Sequence, residues 1–309
     1  MRVPATLLLV MLLAGCAGPG NTGEPGDDAP PGLDAPWWNL GESWTIAFEQ
    51  AGQPRRTTTL VNFANNTFGD PDHFWLGTSS RQEALTHVFF DDNPFLGRIH
   101  WEILSPHEKG MHSAMYAWPL DEGTTWTSPL LFAREDVLAA ASRDADGRIS
   151  VQAEARADGS QLTYDYDPEL RWFRQLVVTD ADGATALRAS VTDHKDSGAR
   201  GTYVFLRGRD CEGALDGGRT GESDACTMPP DGQSLAFLLD VTTSGPSAVE
   251  FVAPNGTAVH RETLALGGTA DKIVEIQAPA TGGEWRVRYV GSVTGSITVR
   301  GIIEYKATL

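Results

Sequence analysis

Apolar and polar residues alternate with a period of two through most of the segment 37–196. Such alternation is typical of β-strands that bury one face. The alternating segments are 148–156, 160–166, 171–179 and 184–192, and the turn sequences are Asp-Ala-Asp-Gly at 144–147 and 180–183, Ala-Asp-Gly at 157–159 and Asp-Pro at 167–168. Glycine after aspartate supplies the positive φ of tight hairpins, so the pattern predicts an antiparallel meander. The alanine-rich stretch 133–143 fits a helix as well, but we interpret 136–143 as the first strand of the meander.

The stretch "SPHEKGMHSAMY" (105–116) is one residue away from the H-E-x-x-H motif of zinc proteases. On a helix, His107 and His112 would point about 140° apart and could not share one metal. The neighbouring proline and glycine also oppose a helix. We therefore predict a hairpin with its loop at 107–110, which pairs Ile103 with Ala114, Trp101 with Tyr116 and Ile99 with Trp118.

The C-terminal part contains further short strands of regular spacing. The segment 207–232 is rich in Gly, Asp and Pro and is predicted to be a loop that joins two domains. Strand-like stretches then follow at 234–243, 247–254, 257–266, 272–279, 284–291 and 296–305. Strands of this number and spacing predict a β-sandwich.

Two stretches carry a resemblance to known proteins. "WPLDEGTTW" (118–126) and, more loosely, "YDYDPELRWF" (164–173) resemble phrases of β-rich surface lipoproteins of prokaryotes, archaea among them. The pair "VAPNGTAVH" (252–260) and "APATGGEWRVRYVGSVTGSITVRGIIEY" (278–305) is similar to the β-sandwich modules of secreted proteases, of the pre-peptidase C-terminal and P-domain type. This second resemblance covers 233–309 and implies a jelly-roll-like sandwich with no catalytic residue.

The N-terminus indicates export. A basic start and a short apolar run end in Leu-Ala-Gly-Cys16, which resembles the lipobox of prokaryotic lipoproteins and implies lipidation of Cys16. A plain secretory signal cut near Ala14 or Ala17 is the alternative. The full prediction is all-β: signal peptide 1–16, tether 17–36, meander domain 37–206, disulfide-bounded loop 207–232 and sandwich domain 233–309. The tether prediction rests on the Gly, Pro and Asp content of 17–36.

Charge and motifs exclude several function classes. The chain has 41 acidic and 24 basic residues, a net charge of −17 that becomes −18 once Arg2 leaves with the signal peptide. This balance argues against nucleic acid and against adsorption to anionic lipid surfaces. No G-x-S-x-G and no glycine-rich nucleotide motif occurs, so the sequence predicts no nucleophile elbow and no cofactor.

Cysteine, histidine and acidic residues offer a disulfide and candidate metal ligands. With Cys16 assigned to lipid, Cys211 and Cys226 are predicted to pair in an oxidising compartment, a bond of roughly 3 kcal/mol in the chain-entropy model. We predict no metal site, but His107 and His112 are the candidates for copper. Asp216, Glu222 and Asp224 are the candidates for calcium in the acidic loop.

Aromatic residues crowd the start of the meander, and four tryptophans there could form a ligand platform: Trp37, Trp38, Trp44 and Trp75. A twisted sheet also needs large side chains in its core, so most are expected to be buried. Asn65 and Asn255 begin glycosylation sequons, which matter only in a host that modifies exported asparagine.

These features lead to a hypothesis of a membrane-anchored, extracytoplasmic, non-enzymatic module that faces the periplasm or the cell exterior. Its partner would be a protein, a glycan or an apolar ligand. One alternative is a lipid carrier with acyl chains on a curved sheet, which a continuous apolar cavity would favour and a filled core would oppose. A metal-dependent hydrolase is the alternative from the enzyme class, and it needs His, Asp or Glu side chains that converge on one concave surface.

Overall fold

The computed structural model describes residues 32–90, 93–106, 114–129, 135–145, 147–211, 220–222, 226–228, 234–242, 247–264, 269–276, 282–291 and 297–309. Residues 32–309 form one compact unit. Cys16 and most of the predicted tether lie outside the described residues.

The first part of the chain forms an eleven-stranded antiparallel sheet with the order β5-β4-β3-β2-β1-β11-β10-β9-β8-β7-β6. Its strands are β1 (Ser43–Gln50), β2 (Arg56–Asn65), β3 (His73–Gly77), β4 (Gly97–His100), β5 (Ser105–Pro106), β6 (Thr125–Ser128), β7 (Val137–Arg143), β8 (Ile149–Ala153), β9 (Gln161–Tyr166), β10 (Gln175–Thr179) and β11 (Thr185–Lys195). The first strand pairs with the last one, Trp44 opposite His194, and this pairing joins the meander β6–β11 to the strands β1–β5.

The predicted meander is confirmed strand by strand from β7 to β11, including the interpretation of 136–143 as a strand. Its turns are of the predicted kind: Gly147, Gly159 and Gly183 have φ near +80°. In two of them an aspartate carbonyl, that of Asp144 or Asp180, accepts the N–H of the glycine three residues later. The aspartate-glycine turns thus fix the register of these hairpins.

The described residues contain one helix, α1 (Arg81–Phe90), which was not predicted. Its N-cap is Ser80, whose Oγ accepts the N–H of Glu83 at 3.2 Å. The carboxylate of Glu83 accepts the hydroxyl of Thr78 at 2.7 Å rather than the N–H of Ser80. The signature Ser-x-x-Glu was present in the sequence and would have indicated the helix.

The predicted loop at 107–110 lies outside the described residues, but the predicted pairing of Ile99 with Trp118 is wrong. The chain already turns at 101–104, where Leu104 has a φ of +48°, and β4 pairs with β5 so that Ile99 lies opposite Pro106. Leu104 holds this left-handed conformation with its side chain fully buried. Ile103 was predicted to lie opposite Ala114, and it does lie next to that residue's neighbour. The carbonyl oxygen of Ile103 accepts the N–H of Met115 at 3.1 Å.

The second part of the chain forms a β-sandwich, which confirms the all-β class. One sheet has the order β12-β20-β15-β18 and the other β13-β19-β16-β17, with β14 also on β19. The strands are β12 (Thr202–Cys211), β13 (Thr220–Glu222), β14 (Cys226–Met228), β15 (Ser234–Thr242), β16 (Ser247–Val252), β17 (Ala258–Leu264), β18 (Thr269–Ile276), β19 (Gly283–Gly291) and β20 (Ile297–Thr308). These two orders are those of a jelly roll. The six predicted C-terminal strands are all present, whereas 207–232, predicted as a loop, contributes strand residues to the sandwich.

One continuous hydrophobic cluster runs through both parts of the fold. The junction lies where Thr78 and Val204 exchange two backbone hydrogen bonds of 2.9 and 3.0 Å. Gly77 is needed at this point, because a Cβ atom there would lie 2.7 Å from the ring of Phe63 and 3.0 Å from the carbonyl oxygen of Val204. The close approach of the two parts therefore depends on a residue without a side chain.

The N-terminal segment 32–38 crosses the first sheet on its core side. Leu33 exchanges two backbone hydrogen bonds with Leu120, and Trp38 is fully buried. Within the described part of the chain, no helix has the length and hydropathy of a membrane span.

Candidate functional site

A cleft of about 360 Å³ lies between the start of β2 and helix α1. Its volume is at the lower end of the range for small-molecule sites. Hydroxyl, amide and oppositely charged groups make up its lining: Arg56, Thr57, Thr58, Ser80, Gln82, Glu83, Thr86, His87, Asn93 and Leu96. We call it the α1 cleft.

Asn93 is the most unusual group in the α1 cleft. Its side chain is 5% exposed, and its Nδ2 has no hydrogen-bond partner. Its Oδ1 accepts the N–H of Phe95 at 3.1 Å, which fixes the orientation of the amide and leaves Nδ2 as the unused donor. An unsatisfied buried donor costs about 1–3 kcal/mol, so an oxygen atom placed beside Nδ2 would recover that energy.

The other polar groups of the α1 cleft hold its shape. His87 Nδ1 accepts the N–H of Asn93 at 3.3 Å, and Thr86 Oγ1 donates to the carbonyl of Gln82 at 3.0 Å. Glu83 accepts the Thr78 hydroxyl at the helix start. These side chains are anchored by α1 and its cap, so the cleft is formed before any ligand enters it.

A second polar cluster lies around the buried carboxylate of Glu42, which is 0% exposed. Its Oε2 accepts the N–H of Asn39 at 2.8 Å, and its Oε1 accepts Nε2 of His194 at 2.9 Å and Nε of Arg171 at 3.1 Å. Burial raises the pKa of Glu42, against the opposing effect of the hydrogen bond from His194 and the charge of Arg171. Asp196 completes the cluster at 3.6 Å from His194 Nδ1.

The ligand atoms of Glu42, His194 and Asp196 lie within 4.8 Å of one another, which is the spacing of a metal site. The Arg171 guanidinium contacts both carboxylates, at 3.1 Å from Glu42 and 3.4 Å from Asp196. The guanidinium of Arg171 thus provides the positive charge that a metal ion would otherwise provide to these two carboxylates. The cluster ties the start of β1 and the end of β11 to the turn at 167–172.

A third cluster surrounds His73, a buried side chain on β3. Its Nδ1 lies 2.6 Å from Oδ1 of Asp70, Arg98 pairs with the same carboxylate, and the His100 ring is 5.2 Å away. Burial lowers the pKa of His73, and the charge of Asp70 opposes this shift. His73 is therefore held neutral at a pH where an exposed histidine would begin to protonate.

We expect the free energy of unfolding to decrease as the pH falls below about 6.5, by up to about 1.4 kcal/mol per pH unit from this residue. The folded pKa of His73 lies below the unfolded one, so the unfolded chain takes up the proton first. Urea unfolding at several pH values should give a flatter pH profile for His73→Gln than for the wild type. His260→Gln, a change at a half-exposed histidine, is the control. Equal slopes for His73→Gln and the wild type would contradict this assignment.

A second cleft of about 300 Å³ lies between the hairpins of β7–β8 and β9–β10. Arg143 and Arg174 line it, but Arg143 pairs with Asp121 and Arg174 with Asp167. The two described clefts are separate and small, and the aromatic face of the sheet is filled by its own side chains. The described structure therefore does not support a carrier with acyl chains on the aromatic face.

The predicted tryptophan platform is corrected by the burial of its members. Trp38, Trp44 and Trp75 are at most 1% exposed, because they pack into the core between the sheet and its neighbours. Trp37 is 46% exposed and makes edge contacts with Phe74 and Trp101. Three of the four rings therefore have no exposed face that a ligand could contact.

The two sequons differ in accessibility. Asn65 Nδ2, the atom that would carry a glycan, donates to the carbonyl of Trp38 at 3.1 Å. Asn255 lies in an exposed turn, where its Oδ1 accepts the N–H of Thr257 at 3.0 Å. Of the two asparagines, only Asn255 has its Nδ2 at the surface, where that atom could be glycosylated.

Several predicted site residues lie outside the described residues: Cys16, His107, His112, Asp216 and Asp224. For Cys211, Cys226 and Glu222 the structure describes only the backbone, in β12, β14 and β13. The disulfide and the calcium and copper candidates therefore stay predictions.

Sequence reasoning missed the α1 cleft and the Glu42 cluster. The capping box could have placed α1, but nothing in the sequence marks Asn93 as buried. Glu42 and His194 are 152 residues apart, and only the pairing of β1 with β11 brings them together.

No family model matches the sequence, and no curated protein sequence matches it. Among solved structures, the cycloalternan-forming enzyme from Listeria monocytogenes is similar at 13% identity and a TM-score of 0.21 over 60% of this chain, which spans 22% of that enzyme. An exo-β-1,3-galactanase from Phanerochaete chrysosporium has 11% identity and a TM-score of 0.20 over 84% of this chain and 68% of that chain. A carbohydrate-binding module of the β-sandwich superfamily has 12% identity and a TM-score of 0.17 over 59% of this chain and 96% of that module. Similarities this low carry no argument about function.

Proposed function

We propose that this protein is an exported, lipid-anchored binding protein whose α1 cleft holds a small, uncharged, hydroxyl-bearing ligand of the sugar class. The observation that carries the proposal is Asn93, a residue that lines this preformed cleft and whose buried Nδ2 has no hydrogen-bond partner. A ligand hydroxyl is both an acceptor and a donor, so it could accept from Nδ2 and donate to a neighbouring oxygen.

The composition of the α1 cleft supports an uncharged ligand. Arg56 and Glu83 have opposite signs, and the remaining polar side chains are hydroxyls, amides and the imidazole of His87. Arg56 lies over the ring of Phe48 at 5.5 Å, and Glu83 accepts from Thr78. Each charged group thus has a partner within the protein, and neither is placed to select a ligand of opposite charge.

The same lining supports binding over catalysis. An acid–base mechanism needs a titratable group free to exchange a proton with its substrate. In the α1 cleft, His87 Nδ1 accepts a backbone N–H, and Glu83 holds the helix start, so both groups have structural tasks.

The anchor belongs to the proposal on the grounds of the lipobox at Cys16 and the Gly, Pro and Asp content of 17–36. It would hold the folded unit at the membrane, in the periplasm or at the cell exterior. The predicted disulfide fits such a compartment, and its support is that β12 and β14, which carry Cys211 and Cys226, come into contact although they pair with different sheets. Mass spectrometry of the protein extracted from its own membranes tests both modifications.

Asn93→Asp tests the cleft with a nearly isosteric change. The variant keeps an oxygen for the N–H of Phe95 but removes the Nδ2 donor. Calorimetric titration of the full-length protein with neutral single sugars should identify a ligand that the variant binds at least about tenfold more weakly, the value of one hydrogen bond.

Asn255→Asp is the matched control, because it makes the same chemical change in an exposed turn of the sandwich. It should bind as the wild type does. If no neutral sugar binds the wild type, or if Asn93→Asp binds as well as Asn255→Asp, the α1 cleft is not the site.

A further inference from the structure

The cleft between the hairpins of β7–β8 and β9–β10 has a charge pattern that the proposed function does not use. Its volume is about 300 Å³, at the lower end of the range for small-molecule sites. Three arginines and two carboxylates line it: Arg143, Arg148, Arg174, Asp167 and Glu169. We call it the arginine cleft.

Two of the three arginines are neutralised by carboxylates of the protein. Nη2 of Arg143 donates to Oδ1 of Asp121 at 2.8 Å, and Nε of Arg174 donates to Oδ2 of Asp167 at 2.7 Å. The other carboxylate oxygen of Asp167 accepts the backbone N–H of Glu169 at 2.9 Å. These pairs leave one guanidinium and one carboxylate of the lining without a counter-charge.

The two remaining charged groups are those of Arg148 and Glu169. Both residues are exposed, and among the residues that the structure describes neither side chain forms an ion pair, with the other or with a third group. Their backbones are fixed, because Asp144 Oδ1 accepts the N–H of Arg148 at 2.8 Å and Asp167 accepts that of Glu169. Two opposite charges therefore start from fixed backbone positions around one small cleft.

Part of the lining of the arginine cleft is apolar. Ile149 on β8 lies opposite Tyr166 on β9, and the two residues are only 1% and 4% exposed. Leu33 adds a third apolar side chain from the N-terminal segment, which its two backbone hydrogen bonds with Leu120 hold in place. An apolar ligand group gains free energy against these side chains by leaving water, whereas a charged group there would lose its hydration.

The charge pattern distinguishes between classes of ligand. An anion would be attracted by Arg148 but repelled by Glu169, and a cation would experience the reverse. A neutral sugar would leave both charged groups without a counter-charge. A zwitterion can pair with both of them. A free α-amino acid is a zwitterion whose carboxylate, ammonium group and side chain are attached to the same carbon atom.

We propose that the arginine cleft binds a free α-amino acid with an apolar side chain. The ligand carboxylate accepts two parallel N–H groups from the guanidinium of Arg148, and the ligand ammonium group donates to the carboxylate of Glu169. The ligand side chain lies against Leu33, Ile149 and Tyr166. This site goes beyond the proposed function, because the arginine cleft and the α1 cleft share no lining residue.

The first test is calorimetric titration of the full-length protein with L-leucine and with three analogues that each lack one of its features. N-acetyl-L-leucine has no ammonium group, L-leucinamide has no carboxylate, and glycine has no apolar side chain. Each analogue is expected to bind at least about tenfold more weakly than L-leucine, the effect of one charged hydrogen bond or of the burial of an aliphatic side chain.

The second test assigns the two charged partners. Arg148→Gln and Glu169→Gln should each weaken the binding of L-leucine by at least about tenfold. Arg148→Gln should not weaken the binding of L-leucinamide, which has no carboxylate, and Glu169→Gln should not weaken that of N-acetyl-L-leucine, which has no ammonium group. Arg55→Gln and Glu284→Gln are the matched controls at exposed ion pairs outside the cleft, and both should bind L-leucine as the wild type does.

Three results would overturn this inference: no binding of L-leucine, binding that Arg148→Gln and Glu169→Gln leave unchanged, or equal binding of L-leucine and any of the three analogues. The outcomes are independent of those for the α1 cleft. If L-leucine binds as expected and no neutral sugar binds, the proposed function fails and the amino-acid site stands. If a neutral sugar binds in dependence on Asn93 and L-leucine does not bind, only the amino-acid site is overturned.

Discussion

Trp38→Ala is expected to lower the free energy of unfolding by about 4 kcal/mol, whereas Trp37→Ala should lower it by no more than about 1 kcal/mol. The two neighbouring residues have the same side chain but opposite environments. Trp38 is fully buried, and its ring lies 4.5 to 4.9 Å from those of Trp44, Phe74 and Trp172. Its Nε1 also donates to the carbonyl of Arg171 at 3.0 Å.

Removal of the Trp38 ring would leave a cavity lined by rigid aromatic groups that cannot collapse into it. The Trp37 ring is half exposed and leaves no enclosed space. Guanidinium-induced unfolding, with the change in midpoint multiplied by the common slope, measures both effects. Similar losses for the two variants would show that the N-terminal segment is not held by Trp38.

Arg171→Asn is expected to lower the free energy of unfolding by about 3 kcal/mol, because it leaves the buried carboxylate of Glu42 without its cation. Arg171 has a φ of +55°, a conformation that asparagine tolerates better than most residues. The loss of stability should therefore reflect the removal of the positive charge and not backbone strain. Arg174→Asn is the control. Its pair with Asp167 lies at the surface, and its loss should cost less than about 1 kcal/mol.

Two further measurements distinguish the charge effect from a loss of packing. In the background of Glu42→Gln the cost of Arg171→Asn should decrease by at least about 1 kcal/mol, because no buried charge remains to be compensated. Burial raises the pKa of Glu42, so the folded protein binds this proton more tightly than the unfolded chain. The destabilisation of Arg171→Asn should therefore shrink as the pH falls toward 4.5. A cost that is independent of pH and of Glu42 would contradict the role of Arg171 as the internal cation.

Local sequence patterns predicted the parts of this fold that local chemistry decides. The aspartate-glycine turns and the alternation on either side of them placed β7 to β11, and the same reasoning placed the six strands β15 to β20. The predicted pairing of Ile99 with Trp118 was wrong because cross-strand matching of apolar residues did not anticipate the turn at 101–104, where Leu104 takes a left-handed conformation inside the core. Helix α1 was overlooked although Ser80 and Glu83 carried its capping signature.

The features that carry the proposed function depend on pairings between distant segments. Asn93 follows α1, which packs against β12 of the sandwich, and no residue near Asn93 in the sequence indicates that packing. Alternation predicts which side of each strand is polar, but the pairing of β11 with β1, which brings Glu42 and His194 together, depends on segments far apart in the sequence.

The two backbone hydrogen bonds between Leu33 and Leu120 have a mechanical consequence. If Cys16 is anchored in a membrane, a pulling force enters the folded unit at Gly32 and first loads these two bonds. Their rupture would release the segment up to Trp37 and add up to about 20 Å of reach while the sheet stays intact. The next resistance is the buried ring of Trp38. The attachment would therefore lengthen under load in a defined step before any strand is lost.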